Sequence, residues 1–179
     1  MSVGSGTRPR VVLVGPMGAG KTTVARILGE RWGVGVRDTD HDIEAAERRD
    51  VQEIFVDSGE EYFRDAEVRA VSAALAEHSG VLALGGGAVL RAETRQALVG
   101  HRVVFLRVGL TDAVQRVGLG VGRPLLLGNV RTRVKTLLDE RTPIYEAVAS
   151  VVVDTDGRSA LEVADEIERA LAHDEGDRT

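Results

Sequence analysis

The chain has 179 residues, a length typical of one domain with a substantial apolar core. It contains no cysteine, which excludes disulfide bonds, thiolate zinc sites and a cysteine nucleophile, and its four histidines lack metal-ligand spacing. Because the net charge is −5, the chain lacks the dominant basic surface of a duplex-binding protein, and we expect no nucleic-acid partner.

No apolar segment reaches the roughly 20 residues of a membrane-spanning helix, and the first ten residues, MSVGSGTRPR, lack the apolar stretch of a signal peptide. We therefore expect a soluble cytoplasmic protein without a membrane partner, and a monomer. The whole chain, residues 1–179, is expected to be a single domain. Residues 1–9 and 173–179 are polar and are expected to be mobile tails around a core of residues 10–171.

Five short apolar segments alternate with longer segments of helical periodicity. The apolar segments have the composition of strands buried on both faces: VVLVG (11–15), VGV (34–36), VLAL (81–84), RVVFLRV (102–108) and SVVVD (150–154). The helical segments are TVARILGERWG, VRAVSAALAEH, ETRQALVG, TDAVQRVG, VRTRVKTLLDERTPIYEAV and SALEVADEIERALAH, the last with a capping box of Ser159 and Glu162. This alternation predicts an α/β fold with a five-stranded, parallel, doubly wound sheet flanked by helices.

The first strand is followed by GPMGAGKT (15–22), which matches the phosphate-loop pattern G-x-x-x-x-G-K-[ST] between a strand and a helix. Its glycines let backbone N–H groups turn towards a phosphate at the positive end of a helix. Lys21 is expected to reach the β- and γ-phosphates, and Thr22 to ligate Mg²⁺. The chain is therefore predicted to bind a nucleoside triphosphate. The other nucleotide-binding residues of the loop are predicted to be Gly18, Ala19, Gly20 and Thr23.

Three carboxylates at alternate positions follow the second apolar segment, in RDTDHD (37–42). In an extended chain Asp38 and Asp40 project to the same side and share one target, which is a cation, a proton or a hydroxyl. A solvated loop is the simpler interpretation, and it suits Asp42, which we expect at the N-terminus of the helical sequence IEAAERR. Asp154, preceded by three valines, competes with Asp38 for magnesium. The late position of SVVVD in the chain favours Asp38.

Two further segments have features of an acceptor site. GEEYFRDAE (59–67) is predicted to start a helix with Glu60, Arg64 and Glu67 at ion-pair spacing, although a solvated charged face is the simpler explanation. GGG (85–87) follows the third strand at the carboxyl edge of the sheet, where ligands bind in open α/β folds. The three glycines either let the backbone contact a ligand or form a plain tight turn.

A glycine-rich segment, VGLGVGRPLLLGN, ends at residue 129 and surrounds Arg123 with four glycines. We interpret residues 118–129 as a hinged lid that carries one cation. Alternatively, Leu125 to Leu127 belong to the core, which would make the segment less mobile.

Six motifs resemble those of the shikimate kinases, the P-loop kinases of the aromatic amino-acid pathway. They are GPMGAGKTT, DTD, GEEYFR with Glu67, LALGGG, GRPLL and ERTPIY, in the order and spacing of that family over residues 10–171. The resemblance implies a P-loop NTPase fold of the nucleoside monophosphate kinase type, with a small lid and a substrate-binding helical segment at about residues 40–70. It also implies that ATP, with Mg²⁺, phosphorylates the 3-hydroxyl of shikimate to give shikimate 3-phosphate and ADP.

The same resemblance implies roles for the residues of the acceptor site. Asp38 serves the magnesium through water, and Asp40 holds the reacting hydroxyl. Arg64 and Arg141 bind the carboxylate of shikimate, and Glu67 orients Arg64. The backbone of Gly85, Gly86 and Gly87 contacts the ring hydroxyls, most directly at Gly86.

On the nucleotide side, the resemblance implies that Arg123 reaches the transferring phosphoryl group, so that Lys21, Asp40 and Arg123 are the catalytic residues. Arg116 and Arg158 match arginines that enclose the adenine. Thr22 replaces the commoner serine and keeps its hydroxyl. The stretch from Arg123 to Arg141 is about one residue shorter than in some relatives. This difference affects the expected length of the lid and not the expected chemistry.

Two other functions stay open. Another small-metabolite kinase, such as a gluconate or nucleoside monophosphate kinase, would share the phosphate loop. A nucleotide acceptor usually requires aromatic stacking, and the chain has only three Phe, two Tyr and one Trp, so the paired arginines suit a small carboxylate better. A non-catalytic, nucleotide-gated binding module should have lost Lys21, Asp40 or Arg123, all of which are present.

Overall fold

Five short strands form one parallel sheet in the computed structural model, which describes residues 6–121 and 127–176, without the side chains of residues 118–129. The strands are β1 (Val11–Val14), β2 (Val36–Asp38), β3 (Val81–Ala83), β4 (Val103–Arg107) and β5 (Val151–Asp154). Their order across the sheet is β2-β3-β1-β4-β5, with every pair parallel. The predicted five-stranded α/β sheet is therefore confirmed.

Helices cover both faces of the sheet and one end of it. They are α1 (Lys21–Trp32), α2 (Thr39–Glu47), α3 (Val51–Ser58), α4 (Glu60–Glu77), α5 (Ala92–Leu98), α6 (Leu110–Val121), α7 (Leu127–Val148) and α8 (Ala160–Gly176), with a short 3₁₀ turn at Ala88–Leu90. The capping box of Ser159 and Glu162 is confirmed, since each backbone N–H donates to the other's side chain. None of the described helices combines the length and apolar composition that a membrane-spanning helix requires.

Alternate residues of the strands pack into two separate cores, because successive side chains of a strand point to opposite faces. Val11 and Leu13 of β1 pack with α1 and α8 on one face. Val12 and Val14 pack with α4, α5 and α7 on the other. A third, smaller core joins α2, α3 and α4 around Ile43, Ile54, Phe63 and Ala66. This last core makes residues 40–70 a helical layer beside the end of the sheet.

The outer strands depart from the prediction that all five strands are buried on both faces. β2 and β5 are the two edges of the sheet. Val36 of β2 is 44% exposed and Val152 of β5 is 41% exposed. An edge strand lacks a neighbour on one side, so its apolar composition does not guarantee burial of both faces.

The predicted geometry of RDTDHD is wrong in one respect: the chain is not extended through Asp40. Helix α2 already begins at Thr39, and Asp38 is its N-cap, with its carboxylate accepting from the N–H of Asp40 at 2.8 Å. Asp42 lies in the first turn of α2, as expected for the N-terminus of this helix, and pairs with Arg37 at 2.6 Å. Asp38 and Asp40 are therefore neighbours across a helix start.

The described residues near both ends of the chain are more ordered than expected. Helix α8 continues to Gly176, so residues 173–176 are helical and do not belong to a mobile tail. At the other end Pro9 is buried. The expected lid at residues 118–129 has a helical backbone on both sides, as α6 extends to Val121 and α7 begins at Leu127. Residues 122–126, including Arg123, lie outside the described residues.

Gly80 provides a test of how β2 is held against β3. A Cβ at this position would lie 2.0 Å from the carbonyl oxygen of Gly35, the residue before β2. Because this neighbour is backbone, Gly80→Ala must push β2 away and should lower the free energy of unfolding by roughly 1–3 kcal/mol. Urea denaturation measures the change. Gly6→Ala, with nothing within 4 Å of the added Cβ, is the control, and equal midpoints for the two variants would contradict the prediction.

Candidate active site

A cavity of about 710 Å³ opens where β1, β2 and β3 end. Ligands of open α/β sheets bind at this carboxyl edge, because the loops that follow adjacent parallel strands leave the sheet together. Helix α7 closes the cavity from the opposite side. The predicted site residues that line it are Gly18, Gly20, Lys21, Thr22, Thr23, Asp38, Asp40, Arg64, Gly85, Gly86, Gly87 and Arg141.

The phosphate loop wraps tightly before helix α1. Gly18 and Gly20 adopt left-handed backbone conformations, with φ of 84° and 91°, which non-glycine residues rarely reach. Ala19 is buried in the core, and its N–H donates to the Pro16 carbonyl at 3.1 Å. In this structure Ala19 therefore helps to hold the shape of the loop.

Lys21 folds back over its own loop. Its ammonium donates to the carbonyls of Gly15 at 2.6 Å and Pro16 at 3.0 Å. Burial lowers the pKa of Lys21 from 10.5 to about 8, although the Asp40 and Asp38 carboxylates oppose this effect. An incoming polyanion would favour the charged form of this lysine.

Asp40 lies in the first turn of α2, facing the same cavity. Burial raises the pKa of Asp40, and the neighbouring Asp38 carboxylate raises it further, while Lys21 acts in the opposite direction. A Cβ placed on Gly85 would lie 2.4 Å from Asp40 Oδ1, so the carboxylate rests directly on the backbone of the glycine turn. The absence of a side chain at position 85 is what allows Asp40 to sit there.

The residues predicted for magnesium are suitable for this ion. Thr22 and Asp38 line both the main cavity and a second cavity of about 250 Å³ beside it. Oδ1 of Asp38 accepts from the backbone of α2, and its second oxygen accepts no such bond from the residues that the structure describes. Within the described parts of the chain, no three His, Cys, Asp or Glu residues are grouped to hold a metal. Mg²⁺ often takes only one or two protein oxygens and completes its shell with water and phosphate, so Thr22 and Asp38 fit it.

Arg64 and Glu67 form a buried ion pair on α4, with 2.8 Å between Arg64 Nη1 and Glu67 Oε1. Arg64 is only 8% exposed and Glu67 only 1% exposed, so a solvated charged face is the wrong interpretation. Burial raises the pKa of Glu67, and the hydrogen bond from Arg64 partly offsets this rise. Phe55 and Phe63 lie beside the guanidinium, with their ring centroids 5.7 and 5.5 Å from its central carbon. Arg64 is thereby fixed in direction.

Arg141 approaches the glycine turn from α7. A Cβ on Gly86 would lie 3.9 Å from Arg141 Nη1 and 3.4 Å from the backbone nitrogen of Met17 in the phosphate loop. A Cβ on Gly87 would lie 2.2 Å from Arg64 Nη1. The glycine turn therefore lies between the phosphate loop and two guanidinium groups.

The predicted adenine residues lie on the other side of the phosphate loop. Arg116 donates to the carbonyl of Gly18 at 3.0 Å and to that of Thr155, after β5, at 3.2 Å. Arg158 is exposed in the same turn after β5 and does not line the cavity. Asp154 is paired with Arg107 at 2.6 Å, at the edge of the sheet opposite to Asp38.

Sequence reasoning missed several residues around the cavity. Thr39 is fully buried, and its hydroxyl accepts from the Gly85 N–H at 3.1 Å. Tyr145 is also fully buried, and its hydroxyl donates to the Gly86 carbonyl. One face of α7 also lines the cavity, with residues Val130, Arg133, Val134, Leu137, Leu138 and Arg141. The spacing of these six is the helical repeat of one face, a signal that was available in the sequence.

The chain has only two lysines, which makes the titration of Lys21 directly measurable. We expect the Lys21 ammonium to lose its proton at about pH 8 in the ligand-free protein, visible by NMR of ¹⁵N-labelled lysine with exposed Lys135 as internal reference. Since the unfolded chain keeps this proton up to about 10.5, Lys21 should make the fold more stable as the pH rises from about 8 to 10.5. A Lys21 signal that is still fully protonated at about pH 9.5 would contradict the burial argument.

Comparisons with known proteins agree with the geometry. The sequence model of the family described as shikimate kinase matches residues 17–172. A shikimate kinase of Frankia casuarinae is 63% identical over 161 residues, covering 90% of this chain and 72% of that protein. A shikimate kinase of Salinispora arenicola is 57% identical over 164 residues, covering 92% of this chain and 98% of that protein.

A solved structure is similar along nearly the whole chain. It is a shikimate kinase from Acinetobacter baumannii in complex with shikimate, with a TM-score of 0.86, 35% identity and 94% of each chain covered. The resemblance drawn from the six sequence motifs is confirmed, as is the P-loop kinase fold. The chain belongs to the shikimate kinase family and is an ATP-dependent kinase.

Proposed function

We propose that this chain transfers the γ-phosphoryl group of ATP to the 3-hydroxyl of shikimate, giving shikimate 3-phosphate and ADP. One observation carries the proposal: the glycine turn lies in contact range of both the phosphate loop, at Met17, and the guanidinium groups of Arg64 and Arg141. A phosphate donor and a small carboxylate acceptor can therefore be held side by side. The relatives named shikimate kinase support this choice of acceptor.

On the acceptor side, Arg64 and Arg141 bind the carboxylate of shikimate. Two guanidinium groups with fixed directions suit a planar carboxylate because each offers a fork of N–H donors. Glu67 does not contact shikimate in this proposal and instead holds Arg64 through their 2.8 Å ion pair. The backbone of Gly85, Gly86 and Gly87 contacts the ring hydroxyls.

On the donor side, the phosphates of ATP bind at the N-terminus of α1. The residues that contact them are Gly18, Gly20, Lys21, Thr22 and Thr23. Ala19 contributes by shaping the loop. Arg116 and, from the exposed turn after β5, Arg158 bind the adenine.

The metal is proposed to be Mg²⁺, held by Thr22 and Asp38 together with water and phosphate oxygens. When bound, it supplies charge neutralisation at the phosphates. The chain's own residues position the acceptor and stabilise the transferring group.

Catalysis then consists of positioning and charge stabilisation. Asp40 holds the acceptor hydroxyl in line with the γ-phosphorus, and its raised pKa suits a carboxylate that accepts a proton as the new bond forms. Lys21 and Arg123 stabilise the negative charge of the transferring group, and the lid at residues 118–129 excludes water. Since all these residues belong to one chain, we propose that the enzyme works as a monomer. We also propose that it acts in the cytoplasm, without a nucleic-acid or membrane partner.

A coupled assay for ADP release tests the proposed acceptor. We expect ADP to form with shikimate and ATP, and only at background level with gluconate and ATP. Gluconate is a flexible open-chain acid, so it loses more conformational entropy on binding than a rigid ring does. This loss makes it less favourable to hold its hydroxyl at Asp40 while its carboxylate lies between Arg64 and Arg141. ADP release that does not rise above background when shikimate is added, or faster release with gluconate, would refute the proposal.

Asp40→Asn tests the proposed role of this carboxylate. We expect kcat to fall by roughly 100- to 10,000-fold, because the amide cannot accept the proton of the hydroxyl. ATP affinity, measured by calorimetry, should stay within about threefold of the original, since the proposal places Asp40 against the acceptor and not against ATP.

The matched control is Asp42→Asn, which makes the same chemical change in the same turn of α2 but weakens a contact with Arg37 at a residue that does not line the cavity. It should retain near-normal activity. Loss of ATP binding together with transfer in Asp40→Asn would contradict the assigned role.

A further inference from the structure

The glycine turn is held by two buried hydroxyls that come from different parts of the chain. The N–H of Gly85 donates to Thr39 Oγ1 at 3.1 Å, and the carbonyl of Gly86 accepts from the Tyr145 hydroxyl. Neither side chain is exposed. The turn is thus fixed from the β2–α2 junction on one side and from α7 on the other.

The other carbonyls of the turn are also occupied. Gly85 accepts from the N–H of Ala88, and Gly87 accepts from the N–H of Leu90, each at 3.1 Å. The N–H groups of Gly86 and Gly87, in contrast, have no hydrogen-bond partner among the residues that the structure describes, and both glycines line the cavity. Two backbone donors are therefore left for a ligand.

Both hydroxyls are tied to residues of the proposed acceptor site. Thr39 lies between Asp38 and Asp40, so its bond to Gly85 fixes the turn relative to the Asp40 carboxylate. Tyr145 lies one helical turn after Arg141, and its ring stacks on Phe105 of β4 with 4.9 Å between the centroids. Burial raises the pKa of Tyr145, which keeps the hydroxyl protonated and able to donate.

We propose that Thr39 and Tyr145 are positioning residues, which hold the glycine turn so that the Gly86 and Gly87 N–H groups meet the ring hydroxyls of the acceptor beside Asp40. This inference rests on the proposed function, because it takes shikimate as the acceptor. Displacement of a positioned group by about 1 Å can lower the catalytic rate up to 100-fold, so the Thr39 and Tyr145 hydroxyls matter although neither residue contacts shikimate in this proposal.

The test uses Thr39→Val and Tyr145→Phe, which remove each hydroxyl while keeping most of the side-chain volume. Shikimate and ATP affinities are measured separately by calorimetry, together with kcat and thermal stability. We expect each variant to weaken shikimate binding roughly 5- to 20-fold, and ATP binding to change by less than about twofold. Thr39→Ser, which keeps the hydroxyl, should restore shikimate affinity to within about threefold.

Two matched controls separate positioning from general stability. Thr94→Val changes another buried threonine, whose hydroxyl has no partner among the described residues, and Tyr62→Phe removes a tyrosine hydroxyl that bonds Glu47. Both should keep the original shikimate affinity. If Thr39→Val fails to fold, the shikimate affinity of Tyr145→Phe still tests the proposal. Thr39→Ser then shows whether a hydroxyl at position 39 is sufficient for near-original affinity.

Unchanged shikimate affinity in Tyr145→Phe would overturn the proposal. So would an equal loss of shikimate and ATP affinity, because a merely structural role would weaken both. If the unaltered protein binds ATP but not shikimate, the proposed function itself is refuted. This result is distinct from a failure of the positioning roles of Thr39 and Tyr145, which only the variants reveal.

Discussion

The contact between the phosphate loop and the glycine turn constrains the rest of the site. Parallel pairing of β1 with β3, in which Leu13 lies beside Ala83, brings the ends of both strands to the same edge of the sheet. The two loops then meet at Gly86, where an added Cβ would lie 3.4 Å from Met17 N and 3.7 Å from the carbonyl oxygen of Gly15. Phosphoryl transfer needs the reacting atoms roughly 3–3.5 Å apart, which bulky side chains between the two halves would prevent.

Around this contact the chain concentrates charges that stabilise the fold little by themselves. A buried ion pair such as Arg64 with Glu67 loses most of its Coulomb energy to desolvation, so its value lies in fixing a direction. The carboxylates of Asp38 and Asp40 and the ammonium of Lys21 likewise perturb one another in the ligand-free cavity. An anionic phosphate would offset the desolvation of the Lys21 ammonium, whereas the Asp38 and Asp40 carboxylates favour a cation or the proton of a hydroxyl as a neighbour.

The sequence predicted those features that depend on local pattern. Apolar segments of strand length, the phosphate loop and the capping box of Ser159 and Glu162 were found because each signal lies within a few consecutive residues. The capping box of Asp50 and Glu53 at α3 follows the same pattern and was overlooked. Helix α2 begins earlier than the sequence indicates, with Asp38 as its N-cap. The local sequence suits Asp38 both at the end of a strand and at the cap of a helix, so it does not distinguish these two positions.

By itself the sequence determined the sheet, the phosphate loop and the family, since periodicity and motif spacing are properties of neighbouring residues. Only the tertiary structure decided that Arg64 and Glu67 are buried, that β2 and β5 are the edges, and that Thr39 and Tyr145 hold the glycine turn. Residues 39 and 85 are 46 positions apart, and residues 86 and 145 are 59 apart. Such contacts arise from strand order and helix packing, which set distances that no short stretch of sequence encodes.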